Sequence, residues 1–332
     1  MIALPISSIL VTGGCGFIGT SLISKLLNIN SNLFVRVLDN CLIGKHEDLS
    51  MALEAVSANS TVPDAKHKDR IELIEGDIRS YEIANQCAKG IDCIVHLAAN
   101  TGVGPSVENP IFDMECNVMG TLNMLEAARL NNVKRFVFAS SGAPAGEVEP
   151  PIHEELPPHP VSPYGASKLA GEGYCSAYYR TFGIDTVCLR FGNVYGPKSK
   201  KKSSVVAKFI KQALNGETCE IYGDGKQTRD FIYIDDLVKA IILSIEKDVG
   251  GEIFQIATGM EQTVEEVAEF IKKALSKRSI QMNIAYSQAR LGDVKRNFSD
   301  TRKAKRMLAW QSKTNLEEGI EQTINYFLQI KD

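Results

Sequence analysis

A tyrosine and a lysine stand four residues apart in the segment Tyr164-Gly165-Ala166-Ser167-Lys168. If this segment is helical, the phenol and the ammonium group lie one turn apart on the same face. A nearby cation favours the phenolate, so Tyr164 could act as a base near neutral pH. The same spacing also occurs on ordinary solvated helix faces, so the pair predicts proton transfer only where other motifs agree with it.

Three glycines near the N-terminus are the second chemical signal. Gly13, Gly16 and Gly19 follow a predicted strand and open a predicted helix. Backbone amides at such a helix N-terminus can approach a pyrophosphate because no side chain intervenes. The alternative for a bare glycine triplet is a tight turn without a ligand.

An acidic residue supports the nucleotide interpretation. Asp39 ends the predicted second strand, 20 residues after Gly19. A carboxylate in this place can accept a hydrogen bond from the ribose 2'-hydroxyl of adenosine, which favours NAD over NADP. Asp39 followed by Asn40 is also good turn chemistry, and that is the alternative for this pair.

Two further segments follow predicted strands. Gly76-Asp77-Ile78 comes after the third strand, and His96-Leu97-Ala98-Ala99 ends the fourth. Ligands bind at the carboxyl ends of strands in open α/β sheets, so both segments are expected near the nucleotide. His96 itself is better explained as a buried histidine with satisfied hydrogen bonds than as a ligand.

The pattern of the first two thirds of the chain predicts the scaffold for these residues. Apolar β-branched runs alternate with amphipathic segments, as in a parallel sheet covered by helices on both faces. The predicted strands are 8–11, 34–38, 71–74, 93–96, 136–139 and 186–190, and the predicted helices are 16–28, 114–131 and 162–182. We therefore predict an α/β fold with a doubly wound parallel sheet of the Rossmann type.

A smaller, mixed C-terminal substrate domain is predicted beyond this sheet. From about residue 193, Pro197 and Gly223-Asp224-Gly225 break the chain into short elements. Amphipathic helices are predicted at 264–275 and 316–328, and another at 235–245 that returns to the nucleotide domain. The predicted boundaries are 1–190 for the NAD-binding domain, with a returning segment at about 230–258, and 191–229 with 259–332 for the substrate domain.

Composition excludes several classes of function. The chain has 332 residues, 44% of them hydrophobic, and a net charge of -3, so it offers no field that would hold nucleic acid or an anionic membrane. Its eight cysteines show no Cys-x-x-Cys pair or zinc-type histidine spacing, so we expect free thiols and no metal site. No signal peptide or apolar run of spanning length is visible, and we expect a cytoplasmic protein.

The ordered motifs resemble the extended short-chain dehydrogenase/reductase family, in particular its UDP-glucose and UDP-N-acetylglucosamine 4-epimerases. Nearly the whole chain takes part in the resemblance. The matching motifs are TGGCGFIG at 12–19, HLAA at 96–99, NVMGT at 117–121, ASS at 139–141, YGASK at 164–168, RFGNVYGP at 190–197, RDF at 229–231 and RLGD at 290–293.

The resemblance implies a role for each matched residue. Tyr164 is expected to be the catalytic base, Lys168 to bind the nicotinamide ribose and lower the tyrosine pKa, and Ser141 to hydrogen-bond the reacting sugar oxygen. The residues expected to contact NAD are Gly13, Gly16, Phe17, Ile18, Gly19, Asp39, Asn40, Asp77, Ile78, Leu97, Ala98, Ala99, Asn117, Tyr164, Lys168 and Gly192. The residues expected to contact the nucleotide sugar are Ser141, Asn193, Arg229, Arg290, Asp293 and Asn297.

Residues that this chain lacks narrow the reaction. Dehydratases of the family carry an Asp-Glu pair after the active-site hydroxyl, and decarboxylases carry a glutamate two residues after it. Here Gly142 and Ala143 occupy these positions. We therefore predict reversible C4 epimerisation of a UDP-hexose through a transient 4-keto sugar, with NAD retained through the cycle.

The sugar is less closely defined than the reaction. Pro144-Ala145-Gly146 stands where the family normally has Val-Tyr-Gly, and Asn297 stands where enzymes restricted to plain hexoses hold a bulky tyrosine. We expect UDP-Glc/UDP-Gal, UDP-GlcNAc/UDP-GalNAc or both. The alternatives are a UDP-glucuronate 4-epimerase, another nucleotide-sugar dehydratase, decarboxylase or reductase, and a silent NAD-binding scaffold.

The family also implies a homodimer. Its members pair the helices that correspond to 114–131 and 162–182 across a twofold axis. The apolar positions on these helices fit the core of a monomer equally well, and the sequence does not assign them to either surface.

Overall fold

A computed structural model describes residues 5–58, 67–288 and 294–329 of the chain. The chain divides into two compact units. The first unit comprises Met1–Gly146, Pro158–Arg190 and Val238–Phe254. The second unit comprises Glu147–Pro157, Phe191–Leu237 and Gln255–Asp332.

The regular elements follow the alternation expected from the sequence. The strands are β1 (Ser8–Thr12), β2 (Phe34–Asp39), β3 (Ile71–Glu75), β4 (Cys93–His96), β5 (Arg135–Ser141), β6 (Asp185–Phe191), β7 (Asn193–Tyr195), β8 (Cys219–Tyr222), β9 (Thr228–Arg229), β10 (Phe231–Tyr233), β11 (Ile253–Ile256), β12 (Gln262–Thr263) and β13 (Ile284–Ser287). The α-helices are α1 (Phe17–Ile29), α2 (His46–Ala58), α3 (Tyr81–Ala88), α4 (Val103–Glu108), α5 (Pro110–Met114), α6 (Gly120–Leu130), α7 (Pro163–Phe182), α8 (Val205–Leu214), α9 (Ile234–Glu246), α10 (Val264–Ser276), α11 (Arg302–Leu308) and α12 (Leu316–Gln329).

Seven strands form the central sheet, in the order β11-β6-β5-β4-β1-β2-β3. Strands β1 to β5 pair in parallel, and Thr12 of β1 lies opposite both Leu38 of β2 and His96 of β4. The chain runs outward from β1 to β3 and then returns to place β4 on the other side of β1. This reversal creates a crevice at the carboxyl end of β1, and it confirms the predicted doubly wound sheet.

The core of the first unit lies between this sheet and its helices. Every residue of β1 and β4 is buried, as expected for parallel strands that are covered on both faces. Fully buried side chains such as Leu10, Ile94, Phe136 and Met124 belong to one apolar cluster. Burial of a side chain of this size contributes roughly 1.5–3 kcal/mol.

Helix α7, which carries the Tyr164 motif, has clear signals at both ends. The Ser162 hydroxyl accepts the N–H of Gly165 at 3.1 Å, and Pro163 occupies the first turn. Gly183 ends the helix in the left-handed conformation, with a φ of 73°. These local signals fix where the helix begins, and therefore which of its residues face β5.

The second unit is built from short elements. Strands β7 and β10 pair in parallel, as do β8 and β13, whereas β9 and β12 pair in the antiparallel sense. Helix α10 begins at a capping box in which Thr263 and Glu266 bind each other's backbone N–H groups. Within the part of the chain that the structure describes, every helix is too short or too polar to span a bilayer.

Candidate active site

The glycine-rich turn between β1 and α1 needs glycine at its first position. Gly13 has a φ of 69° and donates its N–H to the carbonyl oxygen of Leu38 at 2.8 Å. A Cβ added at Gly13 would lie 2.8 Å from the backbone nitrogen of Ala98, too close for any side chain. The turn therefore packs directly against the segment that follows β4.

The start of α1 is shaped to receive an anion. A Cβ on Gly19 would overlap with the carbonyl oxygen of Gly13, so only glycine lets this helix approach the turn so closely. Gly16 is the N-cap and offers no capping side chain to the first-turn amides, where Phe17 and Ile18 lie. Uncapped N–H groups at a helix N-terminus suit a pyrophosphate, so the residues present fit a dinucleotide.

Asp39 lies at the end of β2 with its carboxylate held above the glycine turn. It is 9% exposed, and its two oxygens accept the N–H groups of Cys15 and Cys41, both at 2.9 Å. Burial raises the pKa of Asp39, while the two backbone hydrogen bonds oppose that rise. The carboxylate is therefore fixed in the position expected for an acceptor of ribose hydroxyls.

The neighbouring strand ends carry the other predicted cofactor positions. Asn40 donates to Asp77 at 3.3 Å, and Asp77 forms an ion pair with Arg79 at 3.0 Å. Burial opposes ionisation of Asp77, but the hydrogen bonds from Arg79 and Asn40 hold its pKa below the ordinary value. Ile78 is buried, and a Cβ added at Gly120 would lie 2.6 Å from its Cδ1 atom, so α6 begins directly over this residue.

The turn after β4 is tied to β1 by hydrogen bonds. The backbone N–H of Leu97 donates to the carbonyl oxygen of Thr12 at 3.2 Å, and that of Ala98 donates to the Thr12 hydroxyl at 3.1 Å. Ala99, the last predicted cofactor contact of this turn, is partly buried. These bonds hold the turn next to the glycine-rich loop.

His96 has no catalytic geometry. Its ring nitrogens lie 2.8 Å from the Thr12 hydroxyl and 3.1 Å from the Thr121 hydroxyl, and the ring packs between Phe136 and Phe138. Burial first, and then the charge of Lys168, lowers the pKa of His96 to about 3. It is therefore a neutral histidine of the core, as the sequence predicted.

Asn117 lies in a π-helical turn, Glu115–Met119, and its side chain links three other residues by hydrogen bonds. Its amide nitrogen donates to the carbonyl oxygen of Asn100, to a carboxylate oxygen of Asp113 and to the hydroxyl of Ser167, at 3.0 to 3.1 Å. Single π-turns of this kind are frequent at functional sites.

Asp113 is a residue that the sequence analysis missed. It is fully buried, and its carboxylate accepts from Asn100, Asn117 and Ser167, the last at 2.7 Å. Ser167 lies on α7 between Tyr164 and Lys168. The only signal in the sequence was its place four residues before Asn117, which puts the two on one helical face.

Tyr164 and Ser141 lie close enough for the serine to affect the pKa of the tyrosine. Ser141 ends β5, Tyr164 lies in the first turn of α7, and hydrogen bonding by the Ser141 side chain acts to lower the pKa of Tyr164. The Ser141 hydroxyl also accepts the N–H of Ala143 at 3.2 Å. The two side chains that the sequence assigned to proton transfer therefore meet at the carboxyl end of a central strand.

Lys168 lies one turn after Tyr164 and is 3% exposed. Its ammonium group donates to the carbonyl oxygen of Ala139 at 2.9 Å and lies 4.9 Å from the centre of the Phe138 ring. Its nitrogen is 6.0 Å from the centre of the Tyr164 ring. Burial lowers the pKa of Lys168 to about 8, while Asp113 acts in the opposite direction.

The pKa of Tyr164 differs from the expectation that Lys168 lowers it. Burial raises the pKa of Tyr164 to about 12, and the hydrogen bond from Ser141 only partly opposes this rise. Lys168 directs its ammonium group at a backbone carbonyl, which explains why the cation does not stabilise a phenolate in this arrangement. The groups of the chain itself thus hold Tyr164 in its phenol form.

A buried ion pair that the sequence analysis missed holds α7 in place beside this site. Arg190 of β6 contacts Glu172 of α7 at 2.7 and 2.8 Å, and both side chains are at most 4% exposed. Glu172 also accepts from the Ser140 hydroxyl at 2.6 Å. Because Glu172 is four residues after Lys168, it fixes the same face of α7 against β5 and β6.

Further predicted contacts lie on the second unit. Gly192 donates its N–H to Ile256 at 3.0 Å, and Asn193 is exposed at the start of β7. The Arg229 guanidinium donates to the carbonyl oxygen of Val294 at 2.7 Å, and the backbone of Asn297 binds Thr228 at 3.2 Å. Arg290 and Asp293 lie outside the described residues.

The assembled groups of the first unit can move one proton beside a dinucleotide. Tyr164 supplies a phenol oxygen, and Ser141 supplies a hydroxyl group that acts on the pKa of this phenol. Gly142 and Ala143 supply no further acid or base. Such a site is suited to removing and returning the proton of a secondary alcohol.

Comparison with known proteins agrees with this chemistry. The model of the NAD dependent epimerase/dehydratase family matches residues 9–257. A putative UDP-glucose 4-epimerase of Methanocaldococcus jannaschii is 38% identical over 323 residues, which cover 96% of this chain and 97% of the relative.

Solved structures give the same result. The UDP-glucose 4-epimerase of Thermotoga maritima with UDP-glucose superimposes with a TM-score of 0.86 at 35% identity, over 97% of this chain and 99% of that one. The UDP-N-acetylglucosamine 4-epimerase of Methanobrevibacter ruminantium M1, in complex with UDP-N-acetylmuramic acid, gives a TM-score of 0.85 at 31% identity, over 97% of this chain and 98% of that one.

Proposed function

The chain belongs to the NAD dependent epimerase/dehydratase family, and we propose that it catalyses the reversible C4 epimerisation of a UDP-hexose with NAD as a retained cofactor. The observation that carries this proposal is the placement of Tyr164 and Lys168 of α7 against the end of β5, the strand that Ser141 ends: Lys168 donates to the carbonyl oxygen of Ala139 at 2.9 Å and lies 6.0 Å from the centre of the Tyr164 ring. Dehydration and decarboxylation need a further proton-transfer group after the serine, where this chain has Gly142 and Ala143.

The first unit is proposed to hold the cofactor. The uncapped amides of α1 would bind the pyrophosphate, Asp39 the adenosine ribose, and Lys168 the nicotinamide ribose. When bound there, NAD supplies a hydride acceptor that is reduced and reoxidised within one catalytic cycle.

The side chains of the first unit are proposed to handle the proton. Once ionised to the phenolate, Tyr164 would accept the proton of the sugar 4-hydroxyl to become the phenol and would later return it, while Ser141 orients that hydroxyl. The Ser141 hydrogen bond is the interaction that lowers the high pKa of Tyr164. Lys168 would add to this effect at a shorter separation than its present 6.0 Å from the ring.

The second unit is proposed to contact the nucleotide sugar. Asn193, Arg229 and Asn297, with Arg290 and Asp293, are the candidate side chains. Arg229 presents a guanidinium whose forked donors suit phosphate oxygens. Asn297 is partly exposed and smaller than tyrosine, which supports acceptance of N-acetylated sugars as well as plain hexoses.

A direct test is incubation of the purified protein, without added cofactor, with a panel of UDP-sugars. The panel should contain UDP-glucose, UDP-N-acetylglucosamine and UDP-glucuronate. We expect interconversion of C4 epimers at unchanged mass, and we expect released nucleotide to be NAD(H). Conversion of UDP-glucuronate alone would assign the enzyme to that sugar instead.

Two variants on the same helix sharpen this test. Tyr164→Phe should abolish epimerisation while NAD stays bound, whereas Tyr174→Phe, at an exposed position of α7, should leave activity unchanged. Loss of water or carbon dioxide from the product, or a need for stoichiometric reduced cofactor, would contradict the proposal.

We also propose that the protein is a homodimer. Helices α4 to α7 carry large apolar side chains at the surface of the first unit, including Val107, Ile111, Met119 and Phe182, each at least 45% exposed. A second copy of the same surface would cover them. Analytical ultracentrifugation should show a dimer that Ile111→Glu converts to a monomer, while Lys25→Glu on α1 does not.

A cytoplasmic location is proposed on the basis of the cysteines. All eight of them are free thiols in the structure, as expected where thiols are kept reduced. Cell fractionation would test this location directly.

A further inference from the structure

The loop after β2 gathers a thiol, an imidazole and a carboxylate that the proposed reaction does not use. One ligand atom each from Cys41, His46 and Glu75 lies within 4.8 Å of the other two. The His46 Nε2 and Glu75 Oε2 atoms are 3.1 Å apart. We propose that these three side chains bind a divalent cation of the zinc class, with the fourth coordination position open.

The three residues come from separate elements that the fold brings to one edge. Cys41 follows β2, His46 begins α2, and Glu75 is the last residue of β3, paired in register with Asp39. Their spacing is not a known zinc motif, which explains why the sequence analysis predicted no metal site. Only the parallel pairing of β2 and β3 places the carboxylate beside the loop.

The backbone of Cys41 shows that this loop is held in a defined conformation beside the proposed cofactor site. Cys41 has a φ of 54°, a conformation that residues other than glycine rarely adopt. A Cβ added at nearby Gly44 would overlap with the carbonyl oxygen of Cys15, so the loop is pressed against the glycine-rich turn. Strained backbone of this kind clusters at binding sites, where surrounding contacts maintain it.

The ligand types and distances suit zinc better than magnesium or calcium. Thiolate, imidazole and carboxylate bind zinc at about 2.0–2.3 Å, so neighbouring ligand atoms around a tetrahedral ion are roughly 3.5 Å apart. The separation of 3.1 Å between His46 and Glu75 is slightly below that value, and all three ligand atoms lie within 4.8 Å of one another. His46 and Glu75 are 50% and 64% exposed, so small rotamer changes can complete the geometry.

The charges around the site favour a cation on balance. The Asp39 carboxylate accepts the backbone N–H of Cys41 at 2.9 Å, and Glu75 supplies a second negative charge. Lys45 opposes them, because its ammonium group donates to the carbonyl oxygen of Cys41 at 2.6 Å. A bound cation would also stabilise the thiolate of Cys41, and the proton would be released to solvent.

The test is a metal titration of the purified holoenzyme, in the presence of a non-thiol reductant. Cobalt(II) is the first probe, because thiolate coordination gives a near-ultraviolet charge-transfer band. We expect one equivalent of cobalt to produce this band and zinc to remove it by displacement. Cys41→Ser should abolish the band, and His46→Gln should weaken zinc binding at least tenfold.

Matched controls separate the site from non-specific binding. His159→Gln changes an exposed histidine elsewhere on the first unit and should bind both metals like the parent protein. Because His46 is also exposed, its variant is expected to fold, which circular dichroism would verify. Absence of a cobalt–thiolate band, its persistence in Cys41→Ser, or unchanged zinc affinity in His46→Gln would each overturn the proposal. None of these outcomes depends on epimerase activity, so the proposed function can stand or fail separately.

Discussion

The first unit buries Lys168 and Asn117, which support its proton-transfer site, whereas the second unit leaves its candidate contacts partly or fully exposed. Tyr164 and Ser141 themselves are partly exposed. Lys168 and Asn117 are at most 3% exposed, and each is held by hydrogen bonds within its own unit. In contrast, Asn193 is exposed and Asn297 is partly exposed.

This difference indicates which substitutions each unit can accept at little cost in stability. A buried polar group that loses its partner costs the full desolvation penalty, so the proton-transfer site tolerates few substitutions. A side chain at the surface can change with little effect on stability. We therefore expect the reaction type to depend on the first unit and the choice of sugar to depend on the second.

The largest effect is expected from Lys168→Met, which removes the buried cation. Epimerisation should fall roughly 1,000-fold, as expected for loss of a group that supports acid–base catalysis. The free energy of unfolding of this variant should instead be higher than that of the parent near neutral pH. The folded pKa of Lys168, about 8, lies below its ordinary value, so the buried charge penalises the folded state at pH 7, and this penalty fades as pH rises through 8.

The methionine variant should therefore have a higher free energy of unfolding than the parent. This difference between variant and parent should be about 2 kcal/mol larger at pH 7 than at pH 9.5. Urea unfolding at the two pH values measures it. Lys25→Met, at an exposed position of α1, is the control and should show no such pH dependence. If the free energy of unfolding gained by Lys168→Met increased with pH, the charge of Lys168 would not destabilise the folded state as proposed.

The next largest effect is expected from Glu172→Gln. This change leaves Arg190 buried without its ionic partner, which should lower the free energy of unfolding by roughly 3 kcal/mol. Thermal or urea unfolding measures the loss. Glu317→Gln disrupts a solvent-exposed ion pair with Lys273 and should have a much smaller effect. Equal losses in the two variants would remove the distinction between buried and exposed groups.

A smaller effect is expected from Asp39→Asn, which acts on cofactor binding rather than on the proton-transfer groups. Loss of a charged acceptor for the ribose should weaken NAD binding roughly 10- to 100-fold. The NAD content of the purified variant and its affinity by calorimetry are the measurements. Glu47→Gln, at an exposed position of α2, should retain the cofactor. Full retention of NAD by the Asp39 variant would show that another group selects the ribose.

The smallest effect on the reaction is expected from Asn297→Tyr, which should alter sugar preference only. A bulkier side chain should reduce kcat/KM for UDP-N-acetylglucosamine relative to UDP-glucose by roughly tenfold, with NAD content unchanged. Asn215→Tyr, at an exposed position of the same unit, should leave this ratio unaltered. An unchanged ratio in the Asn297 variant would place sugar selection elsewhere.

Much of the fold could be predicted because its signals are local. Each signal lies within a few residues of the element it defines. Examples are the buried runs of β1 and β4, the glycines of the first turn, and the cap at Ser162. The doubly wound parallel sheet followed from the alternation of strands and helices, whereas the order of its strands came from the structure. The predicted α/β fold was therefore confirmed.

The environment of the site could not be predicted in the same way. Asp113 and Glu172 carried no motif, and Arg190 was present only as the first residue of RFGNVYGP with no role assigned. Their roles depend on partners up to 54 residues away in the chain. The raised pKa of Tyr164 likewise arises from burial, which no local pattern reports.

The sequence by itself determined the fold class, the cofactor and the set of side chains available for proton transfer. These follow from short segments whose spacing limits the backbone they can form. The tertiary structure alone decided which of these side chains meet, how deeply they are buried, and that Cys41, His46 and Glu75 share one edge of the sheet. The physical reason is that desolvation and long-range contact depend on strand register and packing, which arise only when distant segments come together.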